Sequence, residues 1–317
     1  MDVNYIIIAH REPHLVKRLI ERLQYPNNFF YIHIDGHVEI KPFIKELKDQ
    51  NNVTILQNEW RVPTFWSDVT TIKATLKVFQ RMLADHRSGF CVLLSGQDYP
   101  LRGNSAIEEF FKENHDINFI DGFSLPAKRG LWGWGKHRGM DRIQFYNYHF
   151  FHNQKSNLPI PSIHHLSFYN PRTLLKIITL YKNKPEDLPN LFKKRRFPTY
   201  LRPFGGATWW ALPMKTVQKL YEFTLEHPDY LEYHVHTHVA DEVFFQSIVH
   251  SLYPKEKIRD SITYTNWTHP TRPLPLTFEK QDFQELAHCK DKIFARKFSE
   301  ETDAKILDLV DENLLMA

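Results

Sequence analysis

The stretch YIIIAHREPHLVKRLIERLQYPNNFFYIHID, Tyr5 to Asp35, decides the fold. It opens on a short apolar run, Tyr5–Ala9, and closes on a second, Phe29–Ile34, both rich in β-branched and aromatic residues. Runs of this length without strict polar alternation suit strands buried on both faces. Between them Leu15, Leu19, Ile20 and Leu23 recur on one helical face, starting near Pro13, a residue suited to a first helical turn. Strand, helix and strand in succession predict a parallel pair joined by a right-handed crossover.

Working outward, Phe90–Leu94 (FCVLL) supplies a further buried strand, and Ser67 is placed to cap a helix reaching about Ala84. From about Asp121 to Tyr200 the pattern degrades into prolines, clustered Tyr and His, Trp132 and Trp134, and the basic run Lys193–Arg196. This reads as a long insertion with one clear helix, Arg172–Tyr181, rather than a second domain. Regular structure returns with a strand at Gly205–Leu212 (GGATWWAL), a helix from Pro213, another from about Ala240, and an amphipathic helix over Ser299–Leu315. The fold class expected is therefore α/β: a Rossmann-type, mostly parallel central sheet flanked by helices, interrupted by one irregular insertion, in a single domain over 1–317.

Composition excludes several classes. The chain has 317 residues and a net charge of +4 from 41 basic and 37 acidic side chains, too weak an excess for a nucleic-acid face. Two cysteines, Cys91 and Cys289, make no disulfide framework. The start, MDVNYIIIAH, lacks the basic region and longer apolar core of a signal peptide, and no stretch approaches the 18 apolar residues of a membrane span. A cytoplasmic location is expected. The 14% aromatic share suits a protein that stacks on sugars and bases, although most such rings serve the core.

In an open α/β sheet, ligands sit beyond the carboxyl ends of the strands. Three ends carry polar groups: His10 and Arg11 after Ala9, Asp35 after the second strand, and Ser95, Gly96 and Asp98 after FCVLL. Asp35 either accepts from a nucleotide's hydroxyls or base N–H, or merely starts the turn before Gly36. Asp98 either orients a ligand or caps its turn; Trp66 and Trp209 either wall a site or pack in the core. No Asp-x-Asp pair that would hold a metal under a diphosphate is present. Asp241 and Glu242 are adjacent, so on a helix they diverge by about 100° and only one faces a ligand. Just before them, His234, His236 and His238 alternate as metal ligands can. A metal-dependent hydrolase, with Glu242 serving a metal-bound water, is the alternative function.

Six blocks then resemble, in order, those of the Core-2/I-branching N-acetylglucosaminyltransferase and peptide O-xylosyltransferase family. They are Tyr5–Asp35, WSDV at Trp66–Val69, LLSGQDYPL at Leu93–Leu101, GGATWWAL, ADEVFFQSI at Ala240–Ile248, and IFARKF at Ile293–Phe298. The resemblance implies a GT-A-like, metal-independent, inverting glycosyltransferase without cofactor, with a UDP-sugar donor (UDP-GlcNAc, UDP-xylose or a relative) and a glycan or lipid-linked glycan acceptor. It implies a nucleotide-binding half at 1–120, an acceptor-side insertion at 121–200 and a catalytic, diphosphate-binding half at 201–317. Glu242 becomes the acceptor-activating base and Asp241 its structural neighbour. Ala9, His10, Arg11, Asp35, Arg296 and Lys297 line the nucleotide and diphosphate, with Arg272 as the nearest candidate for an upstream arginine. Trp66, Ser95, Gly96, Asp98, Trp209 and Asp241 meet the sugars. Some xylosyl-transferring relatives carry an aspartate where Thr208 stands, which speaks against xylose. Vertebrate relatives have a membrane anchor and disulfides that this sequence lacks, so a bacterial enzyme of capsule, exopolysaccharide or lipopolysaccharide synthesis is expected. Lys193, Lys194, Arg195 and Arg196 are either a solvated loop or a contact for anionic lipid or a lipid-linked diphosphate.

Overall fold

The computed structural model describes residues 1–149 and 157–315; the expected insertion at 121–200 thus includes seven residues, 150–156, that lie outside them. The first part runs β1 (Val3–Ala9), α1 (Pro13–Leu23), β2 (Asn28–Ile34), α2 (Lys41–Leu47), β3 (Val53–Ile55), α3 (Thr70–Ala84), β4 (Phe90–Ser95), β5 (Asp98–Pro100), α4 (Asn104–Glu113) and β6 (Asn118–Ile120). The middle holds β7 (Phe123–Ser124), α5 (Met140–Gln144), β8 (Tyr146–His149), β9 (Asn157–Ile160), α6 (Pro171–Asn183) and β10 (Phe204–Gly205). The last part runs β11 (Trp210–Pro213), α7 (Met214–Glu226), α8 (Pro228–Tyr233), α9 (Phe244–Leu252), β12 (Ile258–Arg259), β13 (Thr263–Thr265), α10 (Phe283–His288), β14 (Phe294–Arg296), α11 (Glu300–Asp303) and α12 (Lys305–Val310).

The central sheet has the order β12-β6-β11-β4-β1-β2-β3. β1 pairs in parallel with β2 and β4, and β2 with β3, whereas β11 runs antiparallel to both β4 and β6. Alternate side chains of β1 enter two different cores, as the pleat requires. Tyr5 and Ile7 pack with Leu15, Leu19 and Ile20 of α1, Phe111 of α4 and Ile306 of α12. Ile6 faces the other way, towards Phe79 of α3, Val217 of α7 and Phe245 of α9. Each fully buried side chain of this size contributes about 1.5–3 kcal/mol over leaving it exposed. The expected α/β class, with a mostly parallel sheet flanked by helices, is the observed one.

Four local expectations change. Ser67 does not cap α3: it sits buried in the left-handed region (φ 70°), and Asp68 Oδ1 instead accepts from Thr70 N at 2.7 Å. The strand at Gly205–Leu212 splits in two, because β10 pairs with β7 in a separate two-stranded sheet while β11 joins the central sheet. The helix expected from Ala240 opens as a single 3₁₀ turn, Ala240–Glu242, and α9 proper starts at Phe244. The carboxy-terminal helix is broken into α11, α12 and a π-turn at Asp311–Leu315. There the buried Asp311 accepts from Arg18 Nη2 (2.7 Å) and Tyr99 Oη (2.8 Å), so polar partners set the path of the chain.

Within the insertion, Tyr146, Tyr148, Ile160, Leu180 and Leu191 form a small apolar core of their own. Cys91 and Cys289 are free thiols. Among the described residues, no helix is long and apolar enough to cross a membrane.

Candidate active site

The carboxyl ends of β1, β2 and β4 and the amino end of the antiparallel β11 meet at one edge of the sheet. Gly96 turns the chain there: a Cβ would lie 2.9 Å from Val16 Cγ2 and 3.0 Å from Ala9 Cβ. Its N–H donates to Ile8 O at 3.0 Å. Asp98, the first residue of β5, is fully buried and faces back into the turn, accepting from Ser95 N and Ser95 Oγ, both at 2.8 Å. β14 lies antiparallel beside β5 with Arg296 directly opposite Asp98, and Arg296 Nε is 3.1 Å from Asp98 Oδ1. The guanidinium also lies over the Trp209 ring at 3.8 Å, a cation–π contact. Burial pushes the Asp98 carboxyl up, and Arg296 and the Ser95 donors only partly offset it.

This geometry bears on two alternatives left open by the sequence. Asp98 caps its own turn, pairs with Arg296 and has no exposed surface. Trp209 is half-buried beneath Arg296. Arg296 is in turn committed to these two partners, so of the expected cation pair only Lys297 is unspent. Among the described residues Lys297 makes no salt bridge. Burial, then Arg296 and Arg11, push its ammonium down to about 8. His10 and Arg11 are exposed alongside; burial, Arg11 and Lys297 lower the His10 pKa, against a smaller opposing pull from Asp35. Asp35 accepts from His37 N (2.9 Å), Thr64 N (3.2 Å) and Thr64 Oγ1 (2.7 Å). Burial raises its pKa, but these hydrogen bonds outweigh it and hold the carboxylate below its ordinary value. Asp35 therefore does organise a turn, with His37 and Thr64 that the sequence did not single out.

The carboxylate side is built by the chain that leaves β11. Gly206 passes so close to Asp121 that a Cβ would overlap its carbonyl oxygen, and Gly206 N donates to Glu242 O at 2.9 Å. Val239, a β-branched residue in the left-handed region (φ 51°), starts the turn and donates to Ser67 O at 2.7 Å. Such a conformation costs on the order of 1–3 kcal/mol and persists only where its surroundings enforce it. Beyond it Asp241 Oδ2 accepts from Thr208 Oγ1 at 2.8 Å, while Glu242 Oε2 accepts from Arg142 Nη1 at 2.6 Å. The two acids thus point to different partners, as adjacent residues should. Burial lifts both carboxyls above their ordinary range. Arg142 offsets part of this for Glu242 and the neighbouring Asp241 charge adds to it. The Asp241 charge also acts on Arg296, which joins the two halves of the site.

Arg142 was missed by sequence reasoning. It comes from α5 in the insertion, lies over the Trp134 ring at 3.9 Å and donates to Gly133 O at 2.7 Å. Nothing in a lone Arg amid irregular sequence marks it, except the nearby glycines and Trp134 that hold it.

The remaining candidates have other partners, and Trp66 stands beside the Glu242 turn, since its neighbour Ser67 accepts from Val239 N. Arg272 is held by Asp282 and by Glu279 (3.3 Å), a structural triad. Trp66 is 56% exposed and meets His238 edge-on at 6.1 Å. The three histidines do not converge. His234 is buried against Tyr230 and Phe244, His236 lies between Tyr146 and Tyr148, and His238 faces Trp66 and His149. Burial pushes His236 down to about 4 and His238 to about 3. Among the described residues no group of three or more His, Cys, Asp or Glu could hold a metal ion; the histidine metal site of the alternative reading is not formed. Of the basic run, Lys193, Lys194 and Arg196 are exposed but Arg195 is buried. Its guanidinium donates to Phe145 O (2.7 Å), Arg142 O (3.2 Å), Tyr233 O (2.9 Å) and Thr237 Oγ1 (2.6 Å). It bolts the insertion to the turn before Glu242 and is neither solvated nor free for lipid.

Comparison with known proteins places this site in context. Residues 3–287 match the family described as Core-2/I-Branching enzyme. Xylosyltransferase 2 of Rattus norvegicus is 22% identical over 335 aligned residues, covering 98% of this chain and 33% of that protein. The Homo sapiens xylosyltransferase 2 is 22% identical with the same coverage, and Rattus norvegicus xylosyltransferase 1 is 20% identical, covering 98% and 35%. The chain spans about a third of the length of these curated relatives. With the match running through the β1–β2 crossover, the Asp98 turn and the Asp241–Glu242 turn, the chain belongs to the Core-2/I-branching enzyme family.

Proposed function

We propose that the chain is an inverting, metal-independent glycosyltransferase that moves a sugar from a UDP-sugar to a hydroxyl of a glycan, free or lipid-linked, in bacterial polysaccharide synthesis. The observation that carries this reading is the pairing of opposite needs at one strand edge. Lys297 is a half-buried cation that makes no salt bridge among the described residues, and a diphosphate would satisfy it. Glu242 is a carboxylate with a raised pKa, held by one arginine and open enough to meet an acceptor. In a single displacement, Glu242 takes the acceptor proton as the new bond to the anomeric carbon forms. Lys297, with Arg11 beside it, balances the charge growing on the departing diphosphate. Asp98 and Trp209 hold Arg296, whose neighbourhood sets the position of Lys297. Thr208, bonded to Asp241, stands where some xylosyl-transferring relatives carry an acid, so the donor is not assumed to be xylose despite the relatives' names.

A panel of UDP-sugars, screened for binding and slow hydrolysis with and without excess EDTA, tests the reading. At least one donor should be bound and cleaved equally well under chelation. No binding by any of them, or activity abolished by EDTA and restored by Mn²⁺, would overturn it.

The cation makes a second prediction. Lys297→Ala should weaken UDP binding by roughly ten- to a hundred-fold, the size of a charge-assisted contact. Because Lys297 titrates near 8 in the free protein and only its protonated form attracts a diphosphate, UDP affinity should fall as pH rises through 8. Lys297→Arg should flatten that limb, since a guanidinium stays charged. Calorimetric titrations from pH 6.5 to 9.5 read both effects, and a pH-independent affinity in the unsubstituted protein would exclude Lys297 from the site.

A further inference from the structure

Helix α6 is apolar on two sides. Its inner side lays Ile177 and Leu180 on the small core of the insertion. Its outer side carries Leu174, Leu175, Ile178 and Tyr181, one helical stripe that is 43–66% exposed. Two neighbours just before the helix extend the stripe: Leu166 is 90% exposed and Tyr169 is 73% exposed. A water-facing helix ordinarily shows one apolar stripe, with the opposite face polar. An exposed contiguous patch of this kind marks a surface that meets something.

The charge around the patch says what. Residues 161–196 hold eight basic and two acidic side chains, a net +6, so the rest of the chain is net −2 although the whole is +4. Arg195 is internal, but Arg172 and Lys182 at the ends of α6, and Lys193, Lys194 and Arg196 beyond it, are exposed. Aromatic and aliphatic side chains rimmed by lysine and arginine are the composition of helices that lie in the headgroup region of an anionic bilayer. The 13 residues of α6 are too few to span one.

We infer that the outer face of α6, flanked by Leu166 and Tyr169 and by the Lys193–Lys194 loop, docks peripherally on an anionic lipid bilayer. The apolar stripe enters the headgroup–acyl boundary and the basic rim meets lipid phosphates. Arg195 then transmits the placement, because it joins this module to the carbonyls of Arg142 and Tyr233 and to the Thr237 hydroxyl, just ahead of the Glu242 turn. The inference goes beyond the proposed transfer reaction and does not depend on it.

Flotation of the full chain with vesicles of phosphatidylcholine alone, or with 30% phosphatidylglycerol, tests it. The protein should float with the anionic vesicles only, and much less in 1 M NaCl, where the Debye length is about 3 Å against 8 Å at 0.15 M. Each basic residue near such a surface is worth about fivefold in partitioning, so Lys193→Ala/Lys194→Ala should lose roughly 25-fold. Leu175→Glu/Ile178→Glu should abolish flotation while thermal stability and UDP affinity stay unchanged, since both side chains are exposed. Failure of the unsubstituted protein to float with anionic vesicles would overturn the inference. So would a concentration-dependent dimer abolished by Leu175→Glu/Ile178→Glu, which would assign the face to a second copy of the chain.

Discussion

Replacing Glu242 by Gln is expected to lower turnover by about 10²–10⁴-fold, the usual contribution of a general base, while UDP affinity changes little. Gln preserves the shape and can still accept from Arg142, so the loss isolates the proton-accepting step. Asp241→Asn should be far milder, because Asp241 is engaged by Thr208, and an amide oxygen can accept the same hydrogen bond. Arg142→Met sharpens the test. Arg142 opposes the burial that raises the Glu242 pKa, so removing it should raise that pKa further. Only ionised Glu242 can take a proton, so the acid limb of kcat/KM should move to higher pH in the variant. Steady-state transfer between pH 4.5 and 8 reads these effects, with the anomeric configuration of the product determined by NMR. A retained configuration, or an Asp241 variant that is crippled while Glu242→Gln works normally, would reassign the chemistry of this turn.

The second large effect is on stability. Arg296→Met should destabilise the fold by about 3–5 kcal/mol, because it strands the buried Asp98 carboxylate without its cation. The double variant Asp98→Asn/Arg296→Met should recover much of that loss, since the stranded charge is gone. The two sites share a contact, so their effects should be strongly non-additive. Urea unfolding of the four proteins completes the cycle. Additive losses, or an Arg296 variant as stable as the parent, would return Arg296 to the role of an uncommitted cation in the cleft.

The two roles differ because neighbours in sequence need not be neighbours in function. IFARKF presents Arg296 and Lys297 as one basic pair, and only the register of β14 against β5 separates them. Register between strands nearly two hundred residues apart leaves no local mark. By contrast, the β1–α1–β2 unit was legible to within two residues at each end, because apolar periodicity alone specifies a strand buried on both faces and an amphipathic helix beside it. Helix starts were less legible: Ser67 looks like a cap, yet its carbonyl is taken by Val239 N, and it is Asp68 that accepts from the first helical N–H, of Thr70. Glu242 was placed by its motif, and its environment was not. The arginine that holds it comes from the most irregular part of the chain, where no periodicity guides the eye. The histidines misled for the opposite reason: their alternation reads as a strand pattern, while the chain there is helical or turning, so the rings point apart.

The Arg195 bolt makes the insertion a modular attachment. Four of its five N–H donors are spent on backbone and hydroxyl acceptors, none of which depends on the identity of the side chains at the outer surface. The insertion is thereby held rigidly from within, and the side chains it displays outside can change without changing how it is mounted. Substitutions on the exposed half of α6 and its loops are therefore expected to leave the seat of the Glu242 turn unchanged.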